Sequence, residues 1–283
     1  MSSQRVLRRA ELLLGLEGTA LFRRVLDADE DFVAQRVTAL RRLADPDAVE
    51  WTQEMVVPEL DVNSGYDEWA PSYDSMANTL VRTEEPLVLD ELNGATPGRA
   101  LDAACGTGRH TAHLRDAGHY VVGIDGSPSM LAVARTNLPD VELLLGQLSC
   151  LPIETSSIDV VVCALALTHL QDPDPAIAEL ARVAKSGARV VISDAHPAFV
   201  LVWGQALFGT ASGGLAFVRN HVHLHNSYLR SFRAHGLTVV DCREAPMEAD
   251  FSTGLWHDAA AAAHSLWSDL PAVLVWTLTR DPG

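Results

Sequence analysis

Lysine is almost missing from this chain: Lys185 is the only one in 283 residues. No Lys/Arg-rich run appears past Arg42 either, and 37 acidic against 21 basic side chains leave a formal charge of -16. Phosphate backbones are bound by clustered cations, so this balance argues against nucleic acid as partner. Cysteine is scarce and unpatterned. Cys105, Cys150, Cys163 and Cys242 form no C-x-x-C pair, and three of them sit in or beside apolar runs. Buried thiols in a reducing compartment follow from that usage, not a disulfide framework. The longest apolar stretch, Val160 to Leu167, is far short of the roughly 20 residues that span a bilayer. The run Leu12 to Leu16 behind Arg5, Arg8 and Arg9 is cut by Glu17, which spoils a secretion signal. The expectation is a soluble cytoplasmic protein without membrane contact. Internal repeats are absent, and the only low-complexity run is the alanine stretch at 259–263.

What is present is ample core material, 48% apolar, arranged with two periods. Residues 3 to about 44 carry apolar side chains at helical spacing (Leu12, Leu13, Leu16, Leu21; Phe32, Val33, Val37, Leu40), closed by Asp45-Pro46-Asp47. This reads as an amphipathic cap or a dimerisation arm. Residues 58–65 read as a linker, and a second helical region runs from Tyr66 to about Leu92. From Arg99 short apolar runs alternate with helical patterns. Strands are expected at 100–103, 120–124, 141–145, 158–164 and 189–193, with helices at 109–117, 128–137 and 175–183. Such alternation predicts a parallel sheet covered on both faces. After Asp194 come an apolar stretch at 198–208, a loop at 209–214, a strand over 217–224, a helix over 227–234, and strands at 237–243 and 272–279 beside a helix holding 259–263.

The chemistry is concentrated in Ala100-Leu-Asp102-Ala-Ala104-Cys-Gly106-Thr-Gly108-Arg and Val121-Val-Gly-Ile-Asp125. An apolar run ends at an acid, turns on two glycines and enters a helix; a second apolar run ends at another acid. That is the outline of a βαβ unit holding a nucleoside. In it, glycines let the backbone approach the ligand, and Asp125 can accept both ribose hydroxyls. A dinucleotide fingerprint would want a third glycine where Thr111 stands.

With Gly146-Gln147-Leu148 and Ala164-Leu-Ala-Leu-Thr-His169 following in order, the stretch from about 66 to 280 resembles the class I S-adenosylmethionine-dependent methyltransferases, of the small-molecule type found in secondary metabolism. The resemblance implies a Rossmann-like α/β fold: a seven-stranded, mostly parallel sheet whose last strand is antiparallel. Residues 1–65 would be an α-helical N-terminal extension with linker, 66–283 the methyltransferase domain, and 66–98 its lid helices. It implies S-adenosylmethionine as cofactor and S-adenosylhomocysteine as product. Asp102, Ala104 (where the family has a glycine), Gly106 and Gly108 would hold the methionine part. Asp125 and Gly126 would take the ribose. Met130, Gln147 and Leu148 would meet the adenine, and Ala164 would lie near the sulfonium. Gln147 stands where the family usually has a carboxylate. Tyr66-Asp67-Glu68-Trp69-Ala70-Pro71-Ser72-Tyr73-Asp74 matches the spacing of a lid in related enzymes, with Tyr66 and Tyr73 over the cofactor.

A general base is useful if the acceptor must lose a proton, and histidine suits the task. His169 follows the fourth strand, and His196 follows the fifth. His221, His223 and His225 alternate, so on a strand they would share one face; His223 is the one expected in the pocket. With no acid or cysteine near them in sequence, no metal is expected. The Asn/Asp-Pro-Pro-aromatic motif of amide- and nucleobase-nitrogen methyltransferases is absent, as is a Pro-Cys nucleophile. The apolar stretch 199–208, with Trp203, suggests walls for an apolar or aromatic small molecule. The expected partner is therefore a small acceptor (O, N or C), plus a second copy through the N-terminal helices. Two other readings stay open: the same fold with a non-methylating activity such as cyclisation or a regulatory binding role, and an NAD-dependent oxidoreductase.

Overall fold

The computed structural model describes residues 6–75, 78–247, 251 and 254–282. Strand β1 (Val6–Arg8) opens the chain, followed by α1 (Arg9–Arg24) and α2 (Glu30–Leu43). The helix expected across residues 3–44 is thus two helices behind a short strand. The break has a local cause: Asp29 accepts a hydrogen bond from Phe32 N at 2.7 Å and starts α2 afresh. Next come β2 (Glu54–Val56), antiparallel to β1, then β3 (Glu59–Leu60), α3 (Val62–Trp69) and α4 (Thr79–Leu92). The stretch 58–65 is therefore a strand and the first turn of a helix, which Asp61 caps through Ser64 N at 3.1 Å.

The alternating section then unfolds as β4 (Arg99–Ala103), α5 (Arg109–Asp116), β5 (Tyr120–Asp125), α6 (Pro128–Asn137), β6 (Glu142–Leu145), β7 (Ile158–Ala164), α7 (Asp174–Val183) and β8 (Ala184–Ala195). The last part holds α8 (Pro197–Val202), β9 (Ala206–Gly209), β10 (Leu215–Val218), α9 (His225–Ala234), β11 (Leu237–Pro246), α10 (Ala260–Trp267) and β12 (Pro271–Arg280). Seven strands form one sheet in the order β11-β12-β8-β7-β4-β5-β6. All run parallel except β12, which is antiparallel to both β11 and β8. The fold is the expected Rossmann-like one. Along β7, Val161 and Cys163 enter the core beneath α7 and α9, while Val160 and Val162 enter the core beneath α4 and α5. That period of two, with both faces buried, is why these strands read as continuous apolar runs. The chain builds β5 and β6 on one side of β4, then crosses to β7 and β8 on the other. Ligands bind above the carboxyl ends at such a reversal.

Two additions cover those ends. A small sheet, β3-β10-β9, packs on α3. Trp69 lies flat on Phe208, with ring centroids 4.8 Å apart, and a Cβ at Gly65 would sit 2.2 Å from Val218 Cγ2. The strand expected over 217–224 stops at Val218. Beyond it the backbone bonds to the loop after β7 instead, through His221 N to Thr168 O at 2.6 Å, and His225 already belongs to α9. The histidines 221, 223 and 225 therefore share no strand face.

The second addition is α1, whose Leu13, Leu16 and Ala20 pack against α8 and α10, with Phe199, Ala263 and Trp267 in the same cluster. Its apolar face is buried against its own chain. Behind that face Glu17 and Arg36 form a buried ion pair, at 2.8 Å. Burial pushes the Glu17 carboxyl up, and the Arg36 charge opposes it. Breaking one half of such a pair strands a charge, whereas replacing both by apolar groups removes the desolvation cost. Arg36→Ala should lower unfolding free energy by about 3–5 kcal/mol in urea titrations, and the double variant Glu17→Leu/Arg36→Met should recover most of the loss. Equal destabilisation by both variants would show that the charge pairing is immaterial.

Candidate functional site

A cavity opens above the carboxyl ends of β4, β5, β6 and β7, under α3. Ala104 and Gly106 line it from the loop after β4; Asp125, Gly126 and Ser127 from the loop after β5; Gln147 and Leu148 from the loop after β6; and Ala164, Leu165, His169 and Leu170 from the segment after β7. Tyr66 and Tyr73 close it from above.

Left-handed backbone shapes the first loop. Ala104, Gly106 and Gly108 have φ of 64°, 55° and 97°. At Gly106 a Cβ would meet nothing within 4 Å, so the bare backbone faces open space. Gly108 has a packing reason: a Cβ there would lie 2.5 Å from Leu138 Cδ1. It starts α5 behind the cavity wall. Ala104 keeps the glycine-like conformation while carrying a methyl group, a strained arrangement for an L-residue. Leu165, at φ 52°, is a second strained residue on the wall.

Asp125 ties two loops together. Gly106 N donates to its Oδ2 and Ser127 N to its Oδ1, both at 2.8 Å. Each oxygen keeps a second lone pair for a ligand hydroxyl. Burial raises the Asp125 carboxyl's pKa, and these two N–H groups pull the other way.

The segment over the cavity is held by the acids beside its tyrosines. Asp67 accepts from Ser127 Oγ at 2.6 Å and from Ser129 N at 3.1 Å. Asp74 accepts from Thr107 Oγ1 at 2.7 Å. Each Tyr-Asp pair thus sends its ring to the cavity and its carboxylate to a loop that lines it.

Tyr66 meets His169, with its hydroxyl 2.7 Å from Nε2. His169 Nδ1 lies 3.1 Å from Arg219 O. A carbonyl only accepts, so Nδ1 carries the proton, and the bare Nε2 accepts from the Tyr66 O–H. Burial pulls the His169 pKa down to about 4, so the ring is neutral at ordinary pH. Burial likewise pushes the Tyr66 phenol up and the Tyr73 phenol up to about 12.

Several expected residues stand behind the wall. Asp102 is buried under the loop and accepts from Thr111 Oγ1 at 2.6 Å. Met130 is fully buried in α6. Beside Asp102, Glu84 accepts from Ser193 Oγ at 2.6 Å and from His110 Nε2 at 3.2 Å, and pairs with Arg109 at 2.8 Å. Burial opposes the Glu84 charge, yet the His110 bond and the Arg109 charge hold the carboxyl at about 2. Of the three candidate base histidines, the structure brings only His169 to the cavity. His196 caps α8, accepting from Ala198 N at 3.1 Å. His223 spends its Nε2 on Leu170 O at 2.8 Å. The stretch 199–208 also stays out of the wall: Phe199 joins the cluster under α1, and Trp203 packs on Trp256 at 5.1 Å. Val62 and Asn63, which do line the cavity, lie in the presumed linker and carry no sequence signal.

Residues 101–192 match the family described as "Methyltransferase domain". A demethylmenaquinone methyltransferase of Renibacterium salmoninarum is 37% identical over 145 residues, 49% of this chain and 61% of that protein. The chain thus spans about three fifths of that relative's length. Among solved structures, an S-adenosylmethionine-dependent methyltransferase of Mesorhizobium loti shares 21% identity with a TM-score of 0.55, over 71% of this chain and 100% of its own. A complex of DhpI with SAM and HEP gives 22% and 0.54, over 76% and 94%. Both structural likenesses concern the fold.

The strain at Ala104 gives a test of the loop. A left-handed L-residue costs roughly 1–2 kcal/mol, while a glycine adds about 0.4–1 kcal/mol of unfolded-chain freedom. Ala104→Gly should therefore stabilise the protein by about 0.5–1 kcal/mol, read from denaturant unfolding. A destabilised variant would mean that the methyl makes a packing contribution larger than the strain.

Proposed function

We propose that this chain, which carries a class I S-adenosylmethionine-dependent methyltransferase domain, methylates a small aromatic acceptor and releases S-adenosylhomocysteine. One observation carries the reading: a single cavity has a nucleoside-holding end, with Asp125, Gln147 and Leu148, and an aromatic end with a neutral base, formed by Tyr66, Tyr73 and His169. The donor set fits the cofactor. Asp125 offers free lone pairs for ribose hydroxyls, and the bare backbone at Gly106 leaves room for the amino-acid part. Gln147 offers a neutral amide to the adenine edge, and the faces of Tyr66 and Tyr73 suit a sulfonium. S-adenosylmethionine supplies a methyl group that is already activated. What remains for the protein is alignment and exclusion of water.

The acceptor side is apolar and aromatic, with one proton path. A phenolic or quinol-type hydroxyl, or an acidic ring carbon, must lose a proton as it gains the methyl. The Tyr66 hydroxyl stands next to the bare His169 Nε2 and can pass that proton on, while Arg219 O fixes the ring. A quinol-type acceptor also agrees with the named substrate of the Renibacterium salmoninarum relative. The charge of -16 supports a small molecule over nucleic acid.

Incubation with S-adenosylmethionine and a panel of phenols and quinols, followed by mass analysis, tests the activity. No S-adenosylhomocysteine with any acceptor would overturn it. His169→Ala and Tyr66→Phe should lower kcat by roughly 10²–10⁴ while calorimetric affinity for S-adenosylmethionine stays unchanged. A loss confined to cofactor affinity would make both residues lid supports only.

The pH profile carries its own expectation. A histidine whose pKa is depressed to about 4 remains an unprotonated base as pH falls through 6.5. The acid limb of kcat/KM, which reports the free enzyme, should therefore lie near pH 4. A limb at pH 6–7 would place the working base elsewhere.

A further inference from the structure

Away from the cavity, three side chains from three elements aim their ligand atoms at one point. His196 caps α8, His225 is the first residue of α9, and Glu244 lies on β11. His196 Nε2 and His225 Nε2 lie 3.1 and 2.7 Å from the same Glu244 Oε1, and all three ligand atoms fall within 4.8 Å of one another. None of the three residues lines the cofactor cavity. We propose that His196, His225 and Glu244 bind a divalent transition cation of the zinc class, clasping the starts of α8 and α9 to edge strand β11.

The donor chemistry fits. Two imidazole nitrogens and one carboxylate oxygen are a set that zinc accepts, with a further position left for water. Ligand atoms in a tetrahedral zinc site stand roughly 3.3 Å apart, so the two distances to Oε1 open by about 0.2 and 0.6 Å, and the two imidazole nitrogens, within 4.8 Å of each other, settle to the same spacing. The ring of His225 is backed by Trp276, with centroids 5.7 Å apart, and stands edge-on to His196 at 5.3 Å. Glu244 is about half exposed and leaves a way in from solvent. His221 and His223 take no part, because His223 is committed to Leu170 O.

Binding has a proton cost that can be written out. Ala198 N–H donates to His196 Nδ1, so in the metal-free chain the His196 proton sits on Nε2 and points at Glu244. A cation needs the Nε2 lone pair. The proton then moves to Nδ1, and the Ala198 bond opens; His225 Nε2, which also donates to Glu244 Oε1, must likewise give up its proton to Nδ1 before it can bind the cation. That exchange keeps affinity below that of a four-ligand structural zinc site.

The test uses metal-stripped, tag-free full-length protein, titrated with Zn²⁺ by calorimetry and with Co²⁺ by visible absorption. The expected result is one equivalent of each, a raised Tm with Zn²⁺, and Co²⁺ bands of low-coordinate geometry. Glu244→Gln and His225→Gln, both at partly exposed positions, should abolish binding while keeping the wild-type circular dichroism. His221→Gln should bind as wild type does. Absence of stoichiometric binding overturns the site, as does binding that survives Glu244→Gln and His225→Gln. The readouts do not depend on methyl transfer, so failure here leaves the cofactor cavity untouched.

Discussion

The carboxylate of Asp125 is the constraint on which the site depends. It sits at the end of β5 and accepts N–H groups from the loop after β4 and from the turn before α6. Two loops are joined through one side chain, beside the backbone bond from Cys105 N to Ile124 O at 2.9 Å. The lid is fastened to the same two loops by Asp67 and Asp74. Three carboxylates therefore link the loops after β4 and β5 to the segment that carries Tyr66 and Tyr73. Accepting hydrogen bonds on charged oxygen is what makes each link strong for its size. An exposed lid held by apolar contact alone would lack that register.

Charge is buried below this layer as well, and its cost is met by pairing. Glu84 would be expensive alone in the interior. It is matched by Arg109, His110 and Ser193, which come from α5 and β8. Asp102, next to this group, is satisfied by Thr111. The network joins α4 to the start of α5, and α5 begins at Gly108 where the cofactor loop ends. Its role is to hold the loop from beneath. That explains why Asp102, an obvious candidate for direct ligand contact in the sequence, stands behind the wall.

Legibility followed the range of the interaction. The strands 158–164 and 120–125 were readable because both faces are buried, so their residue types alone mark them. Gly106, Asp125 and Gln147 were readable because each sits at a fixed offset from a strand end. Strand β10 was overextended to 224 because Val222 and Leu224 continue its alternation, yet both side chains are exposed and the backbone bonds elsewhere. Asp61, an N-cap residue type, marks the helix start just before Val62 and Asn63, but neither of those two side chains by itself points to a ligand. Glu84 lay hidden for the same kind of reason: its partners are 25 to 109 residues away. The meeting of His196, His225 and Glu244 likewise depends on two helix starts docking beside β11.

The cavity draws its walls from two parts of the chain. Residues 101–192, which match the family described as "Methyltransferase domain", supply the cavity loops after β4, β5 and β6 and His169. Tyr66 and Tyr73 come from outside that stretch, and so does the β3-β10-β9 sheet that supports them. Arg219, whose carbonyl selects the His169 tautomer, follows β10 directly. The end of the cavity that holds Tyr66, Tyr73 and His169 is thus assembled from two distant segments brought together by the small sheet, with Trp69 on Phe208 as a contact between them.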